Sequence, residues 1–297
     1  MNASLPDNLT LLETRFSPLA FGAIGDAYGY CFEFAAADHV QRHNNLRYVQ
    51  HPEFTDVSPG VYSDDTQMQL ALAELMLSGA EWSPDNIAQA FVQTYKRAPR
   101  PGYAKRFAEL LGKVEDGADL QARLIPTSDR NGAAMRAPII GLLSDEQTVI
   151  EYARIQAAVT HDTAGGRDSA IAAALILHFL YHQIGPKADL PTYLASHLPD
   201  YDWKHAWQGS VPCHGISTVM AALTAIMTTS TLSQLLHQSI AFTGDVDSVA
   251  TIAMTCASCS PVFARDLPTA LISQCEHTTY GLPYLVQADQ RLITQFR

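Results

Sequence analysis

The sequence predicts an all-α protein. Apolar residues recur at helical spacing through most of the chain, and runs of strong helix formers are bracketed by capping residues at one end and glycine at the other. Sustained period-two alternation is absent, so no series of strands is expected.

The elements follow in order. In the stretch 21–33 (FGAIGDAYGYCFE), Gly22, Gly25 and Gly29 fall three and four apart. Small residues at that spacing share one helix face and let another backbone come close. No Gly-Lys-Ser/Thr follows and the GxGxxG spacing is missing, so this is not a phosphate loop. The pattern predicts a helix over 66–79 (TQMQLALAELMLSG) that ends on a glycine suited to a C-cap. Ser83-Pro84 gives an N-cap and a proline at the first helical position, opening DNIAQAFVQTYKR. Helices are predicted over 131–143 and 144–159, the second with Ser144 and Gln147 spaced as a capping box. Helices over 166–181, 215–228, 231–242, 247–258 and 280–296 complete the set. Proline and glycine punctuate at 98–102, 185–191 and 209–215, and 197–213, with Trp203 and Trp207, reads as a surface excursion. No repeat or low-complexity tract interrupts the pattern, and residues 1–297 are expected to form a single domain.

Hydrophobic residues make up 47% of the chain and charged residues 16%, enough for a large core and little for a disordered tail. A formal charge of −11, from 19 basic and 30 acidic residues, argues against general affinity for nucleic acid or anionic membranes. No stretch reaches the ~18 uninterrupted apolar residues of a membrane span. The start, MNASLPDNLT, lacks the basic and apolar regions of a signal peptide. Five cysteines, at 31, 213, 256, 259 and 275, show no disulfide framework, which suits a reducing cytoplasm. Cys256 and Cys259 read as buried thiols on a helix. Beside Cys213-His214 no fourth ligand suggests itself, so zinc is not expected.

Two acidic clusters carry the chemistry. Ser63-Asp64-Asp65-Thr66 and Asp245-Val246-Asp247-Ser248 each crowd two carboxylates and a hydroxyl onto one turn before an apolar run. Ser, Thr and Asp there also suit a helix N-terminus, so capping explains either cluster alone. Together they double the carboxylates that capping needs. Crowded carboxylates repel, and desolvating them is expensive unless a positive charge neutralises them. Hard divalent cations take such oxygen ligands, and four aspartates match the charge of two such ions. Asp26 and Glu33 are acids in an apolar stretch. Asp26 suits a bond to backbone nearby; Glu33 has no cationic partner in sequence, which leaves open both a metal centre and a solvated position. His161, between Thr160 and Asp162 at a helix boundary, reads as a cap or a bonded core residue.

The order GDAYGxxxE (25–33), SDDTQM (63–68), NGAAMR (131–136), THD (160–162) and GDVDS (244–248) resembles the ADP-ribosylglycohydrolase family, and the end, LPYLVQADQRL, is similar to bacterial members. The resemblance implies a compact, orthogonal all-α domain holding two Mg²⁺ ions, with Mn²⁺ as an alternative, in a cleft that binds ADP-ribose. It implies Ser63, Asp64 and Asp65 as metal ligands from the first motif, and Asp245, Asp247 and Ser248 from the second. It places Glu33 where members carry a glutamate near the metals, and Asn131, Gly132 and His161 in segments lining the cleft. The implied reaction is hydrolysis at C1″ of ADP-ribose joined to an acceptor, with Glu33 or else Asp64 taking the proton of the water. An ADP-ribosylated protein is the implied partner, with arginine linkage favoured and ADP-ribose as product.

The chain departs from the family pattern without losing a ligand. Ser63 and Ser248 replace threonines but keep the hydroxyl, Thr243 stands for a glycine, Val246 for a threonine, and Arg130 for a glycine. Thr243 bears on the local backbone and Arg130 on the distal ligand contacts. The alternative expectation is an ADP-ribose-binding or toxin-neutralising immunity protein that uses the same pocket without turnover; intact clustered carboxylates argue for catalysis.

Overall fold

The structure, a computed structural model, describes Leu12 and residues 16–296. The expectation about MNASLPDNLT lies outside them. Among the described residues the chain runs through fifteen α-helices. They are α1 (Pro18–Tyr30), α2 (Ala37–His43), α3 (Asp64–Ser78), α4 (Pro84–Arg97), α5 (Lys105–Lys113), α6 (Gly117–Arg123), α7 (Gly132–Arg136), α8 (Glu146–Ala158), α9 (Ala164–Tyr181), α10 (Leu190–His197), α11 (Gly215–Thr228), α12 (Leu232–Ala241), α13 (Val246–Ala257), α14 (Thr269–Gln274) and α15 (Leu282–Gln295). Two 3₁₀ turns join them, and extended pairing among the described residues is limited to isolated bridges.

Three helices form the interior. In α9 every residue from Ser169 to Leu180 is buried, and α1 and α13 are buried along their whole lengths. A helix apolar on all sides belongs inside. The glycine face read in 21–33 receives α13: a Cβ on Gly25 would lie 2.6 Å from the Ala250 carbonyl oxygen, and one on Gly29 would lie 2.4 Å from Asp247 Cα. Any side chain there would push the helices apart. That crossing brings the end of α1 against the second acidic motif. No described helix is long and apolar enough to cross a membrane.

Several local expectations need correction. The helix read over 131–143 is two pieces, α7 and a 3₁₀ turn over Pro138–Leu142. Pro138 has no N–H and its ring crowds the preceding turn, so the α ladder stops at Arg136. The capping box at Ser144 and Gln147 does not form; Asp145 caps α8, accepting from the Thr148 N–H at 2.8 Å. Its charge also favours the helix N-terminus. The segment 197–213 runs over the surface as read, with most of its residues exposed, but buried side chains pin it to the fold. Trp203 is buried with its Nε1–H donating to the Leu198 carbonyl at 2.9 Å, and Val211 is buried beside the second acidic motif.

Candidate metal centre and ligand cleft

The first acidic motif is shaped from a distance by Asp26, on the buried face of α1. Its carboxylate accepts from the N–H groups of Ser63 and Thr66 at 3.0 Å and from the Thr66 hydroxyl at 2.6 Å. Asp26 therefore bonds backbone, as its setting suggested, but that backbone lies across the fold. Burial pushes its carboxyl up to about 6, against the opposing pull of these hydrogen bonds. Ser63 caps α3, its Oγ accepting from the Asp65 N–H at 3.2 Å. The Asp64 N–H donates to the Pro101 carbonyl at 2.9 Å. Gly102 follows with φ +96°, and a Cβ there would meet Asp64 Oδ1 at 2.2 Å. The punctuation at 98–102 is thus a turn folded over the first motif.

The second motif follows α12. Thr243 and Gly244 both have left-handed backbone, φ +65° and +87°. The Val211 N–H donates to the Thr243 carbonyl and the Val211 carbonyl accepts from the Asp245 N–H, each at 2.9 Å. Asn131 Nδ2 donates to Asp245 Oδ2 at 3.1 Å, so this side chain orients the carboxylate. The Phe34 N–H donates to the Gly244 carbonyl at 2.8 Å. His51 Nδ1 accepts from the Glu53 and Phe54 N–H groups at 3.0 Å, which leaves Nε2 as the donor to the Glu33 carbonyl at 2.8 Å. Glu33 is held from both sides.

These anchors bring the carboxylates together. Ligand oxygens of Glu33, Asp245 and Asp247 lie within 4.8 Å of one another, and Asp64 and Asp65 line the same cleft. Burial, reinforced by the neighbouring carboxylates, raises Asp64, Asp65 and Asp247 well above the usual range. Burial, followed by the charges of Asp245 and Asp26, lifts Glu33 to about 8. Among the described residues none of these five acids forms an ion pair with Lys, Arg or His, and Asp65 Oδ2 is buried without a hydrogen-bond partner. A buried carboxylate oxygen without a donor and several uncompensated charges fit an oxygen-ligated divalent cation.

The cleft encloses about 810 Å³ and takes in Glu33, Asp64, Asp65, Asn131, Gly132, His161, Asp245, Asp247 and Ser248. Ser63 does not line it; its side chain is fully buried at the head of α3. A Cβ on Gly132 would lie 2.8 Å from His161 Cε1, so only glycine lets the imidazole lie against α7. Burial, then the charge of Arg136, pushes His161 down to about 3, and the ring is neutral. Sequence reading missed Tyr103, Phe107, Leu110 and Leu124, the apolar part of the lining, as well as His51 and Arg136. Arg136 stood in the NGAAMR motif, where a cation followed by an apolar run was the available signal.

A family model described as ADP-ribosylglycohydrolase matches residues 19–290. The chain is 31% identical over 205 residues to ADP-ribosylhydrolase ARH3 of Homo sapiens, covering 64% of this chain and 56% of that protein. It is 34% identical over 182 residues to ADP-ribosylhydrolase ARH3 of Bos taurus, covering 56% and 49%. It is 30% identical over 174 residues to an uncharacterized protein of Archaeoglobus fulgidus, covering 56% and 55%. The chain spans about half the length of the curated relatives it matches. A solved structure described as an ADP-ribosylglycohydrolase-related protein complex shares the fold, with a TM-score of 0.71 over 96% of this chain and 99% of that chain at 20% identity. The matched span takes in every residue of the acidic cleft, from Glu33 to Ser248, and the chain belongs to the ADP-ribosylglycohydrolase family.

Proposed function

We propose that the chain is a metal-dependent hydrolase that releases ADP-ribose from a modified acceptor by cleaving the glycosidic bond at C1″. The observation that carries this reading is the set of five acids, four from two distant motifs and Glu33 from just past the end of α1, that have no ion-pair partner among the described residues and stand on the wall of a cleft large enough for a nucleotide-sized ligand. Ser63, Asp64, Asp65, Asp245, Asp247 and Ser248 would hold two divalent ions, Mg²⁺ in the first instance and Mn²⁺ as a substitute. Such ions, when bound, supply Lewis-acid polarisation and charge neutralisation at the ribose.

The chain's own residues do the rest. Glu33 is the proposed proton acceptor for the attacking water, with Asp64 second. Its backbone is held by His51 on one side and, through Phe34, by Gly244 on the other, which fixes it beside Asp245 and Asp247. Asn131 keeps the Asp245 carboxylate aimed. Gly132 and His161 would meet the diphosphate, where a neutral ring avoids the cost of a buried imidazolium. The apolar lining around Tyr103 and Phe107 limits water around the ligand.

The proposed partner is an ADP-ribosylated protein, with arginine-linked ADP-ribose first among the acceptors. Arginine-, serine- and nucleic-acid-linked ADP-ribose would be incubated with the protein in Mg²⁺ and in EDTA, and free ADP-ribose measured. Release in Mg²⁺ from at least one substrate is expected, fastest from arginine. ADP-ribose binding without release from any of them would replace the hydrolase with a binding protein.

A further inference from the structure

Arg136 is a buried guanidinium that the proposed chemistry does not use. It is 1% exposed and, among the described residues, forms no ion pair with a carboxylate. Its ring-face contact is with Phe91, 4.4 Å from the centroid. Its donors go to neutral oxygens: Nε to Gln156 Oε1 at 2.5 Å, and one terminal nitrogen to the Gln156 carbonyl at 3.0 Å and the Thr160 hydroxyl at 2.7 Å. Gln156 cannot turn its amide over to escape, because its Nε2 donates to the Ala133 carbonyl at 3.0 Å. A buried cation held without a counterion is costly, so an arrangement that keeps one needs a reason beyond packing.

The reason is legible in the proton count. Guanidinium only donates, so the Thr160 oxygen accepts from Arg136. The single Thr160 proton then has one partner among the described residues, His161 Nδ1 at 2.6 Å. Were Nδ1 to carry a proton instead, the Thr160 hydroxyl would receive two donors and its own buried proton would be left unpaired, which is the expensive outcome. Nδ1 is therefore the acceptor, and the ring proton resides on Nε2. That nitrogen has no hydrogen-bond partner among the described residues, and its ring lines the cleft against Gly132.

We propose that Arg136 and Thr160 are positioning residues that lock His161 in its neutral Nε2–H form, so that the ring offers the cleft a hydrogen-bond donor and never an acceptor. A donor selects ligands presenting oxygen lone pairs, such as a phosphate or carbonyl oxygen, over ligands that present an N–H or an ammonium group. Arg136 also sets a positive charge behind that donor, which strengthens its attraction for an anionic oxygen. Which oxygen meets the N–H rests on the proposed function; the tautomer does not.

The test is ¹⁵N NMR of imidazole-labelled protein, first without any ligand. The two-bond correlations of His161 are expected to show a pyrrole-type Nε2 and a pyridine-type Nδ1, unchanged from pH 6 to 8. A protonated Nδ1 in the wild type overturns the proposal at once, whatever any variant does. Thr160→Val keeps the shape, removes the hydroxyl, and is expected to give a tautomer mixture; Thr160→Ser is expected to restore the wild-type pattern. A folded Thr160→Val with the Nε2–H form intact also overturns it. ADP-ribose is then added. Binding that shifts the Nε2 proton, and weakens roughly tenfold in Thr160→Val but not in Thr160→Ser, is expected for one lost donor. If the tautomer is as stated and ADP-ribose does not bind the wild type, the ligand reading fails while the lock stands.

Discussion

Asp26 carries more of the site than its position suggests. It contributes nothing to the cleft wall, yet its two oxygens organise the amides and hydroxyl that fix the turn bearing Asp64 and Asp65. Asn can supply only one acceptor oxygen, and its NH₂ would face backbone donors. Asp26→Asn is therefore expected to lose about 2 kcal/mol in denaturant unfolding, since buried donors are left unpaired, and to weaken divalent-ion binding measured by calorimetry. Unchanged values for both would show that the turn holds itself. The four aspartates of the motifs were legible in the sequence because two close pairs of like charge before apolar runs have few inexpensive explanations. His51 was not, nor were the roles of Arg136 and Thr160, because each acts through hydrogen bonds to residues remote in sequence or through a proton count that no spacing encodes.

Among the elements, long helices announced themselves and short ones did not. The runs that became α3, α4, α9, α11 and α13 are rich in buried apolar residues, and Ser63, Ser83 and Thr163 cap the first three. The helices α2, α5, α6, α10 and α14 have nine residues or fewer, a length at which tertiary packing decides. The junction between α12 and α13 shows how an element boundary serves the site. Thr243 is a β-branched residue at φ +65°, a strained conformation for it, yet the backbone keeps the left-handed path that delivers Asp245. Thr243→Gly should relieve about 1–2 kcal/mol of left-handed strain and return roughly 0.5–1 kcal/mol of it as unfolded-state entropy. A small net gain in melting temperature, with divalent binding kept, is expected. A loss of stability would mean the threonine side chain contributes more than its backbone costs.

At the scale of the whole molecule the acidic cleft makes stability depend on pH and on cation together. Asp26 and Glu33 are raised from 3.8 and 4.5 to about 6 and about 8, mainly by burial, and Asp64, Asp65 and Asp247 are raised as well. For acids shifted upward, the folded state holds protons that the unfolded state has released. Their contribution is thus full below the ordinary carboxylate range and lost as pH rises through the folded values. Metal-stripped protein should melt at progressively lower temperature between pH 5 and 8.5. Saturating Mg²⁺ should restore more stability at the alkaline end than at the acid end, because the ligands must be deprotonated to bind. Calorimetric scans at both ends check this; a Mg²⁺ gain independent of pH would separate these carboxyls from the cation.

Two acidic motifs, far apart in sequence, are proposed to form one metal-dependent catalytic site. Asp64→Asn tests it most directly, since it keeps side-chain shape, removes one charge, and leaves the backbone bond to Pro101 in place. The measurement is the rate of ADP-ribose release from the same linked substrate by wild type and Asp64→Asn, each with Mg²⁺ and with EDTA, on protein shown to be folded by its melting transition. Release by the wild type that EDTA abolishes, and nearly none from the folded variant, is expected. Equal nonzero rates in the two proteins, or a wild-type rate indifferent to EDTA, would contradict the proposal.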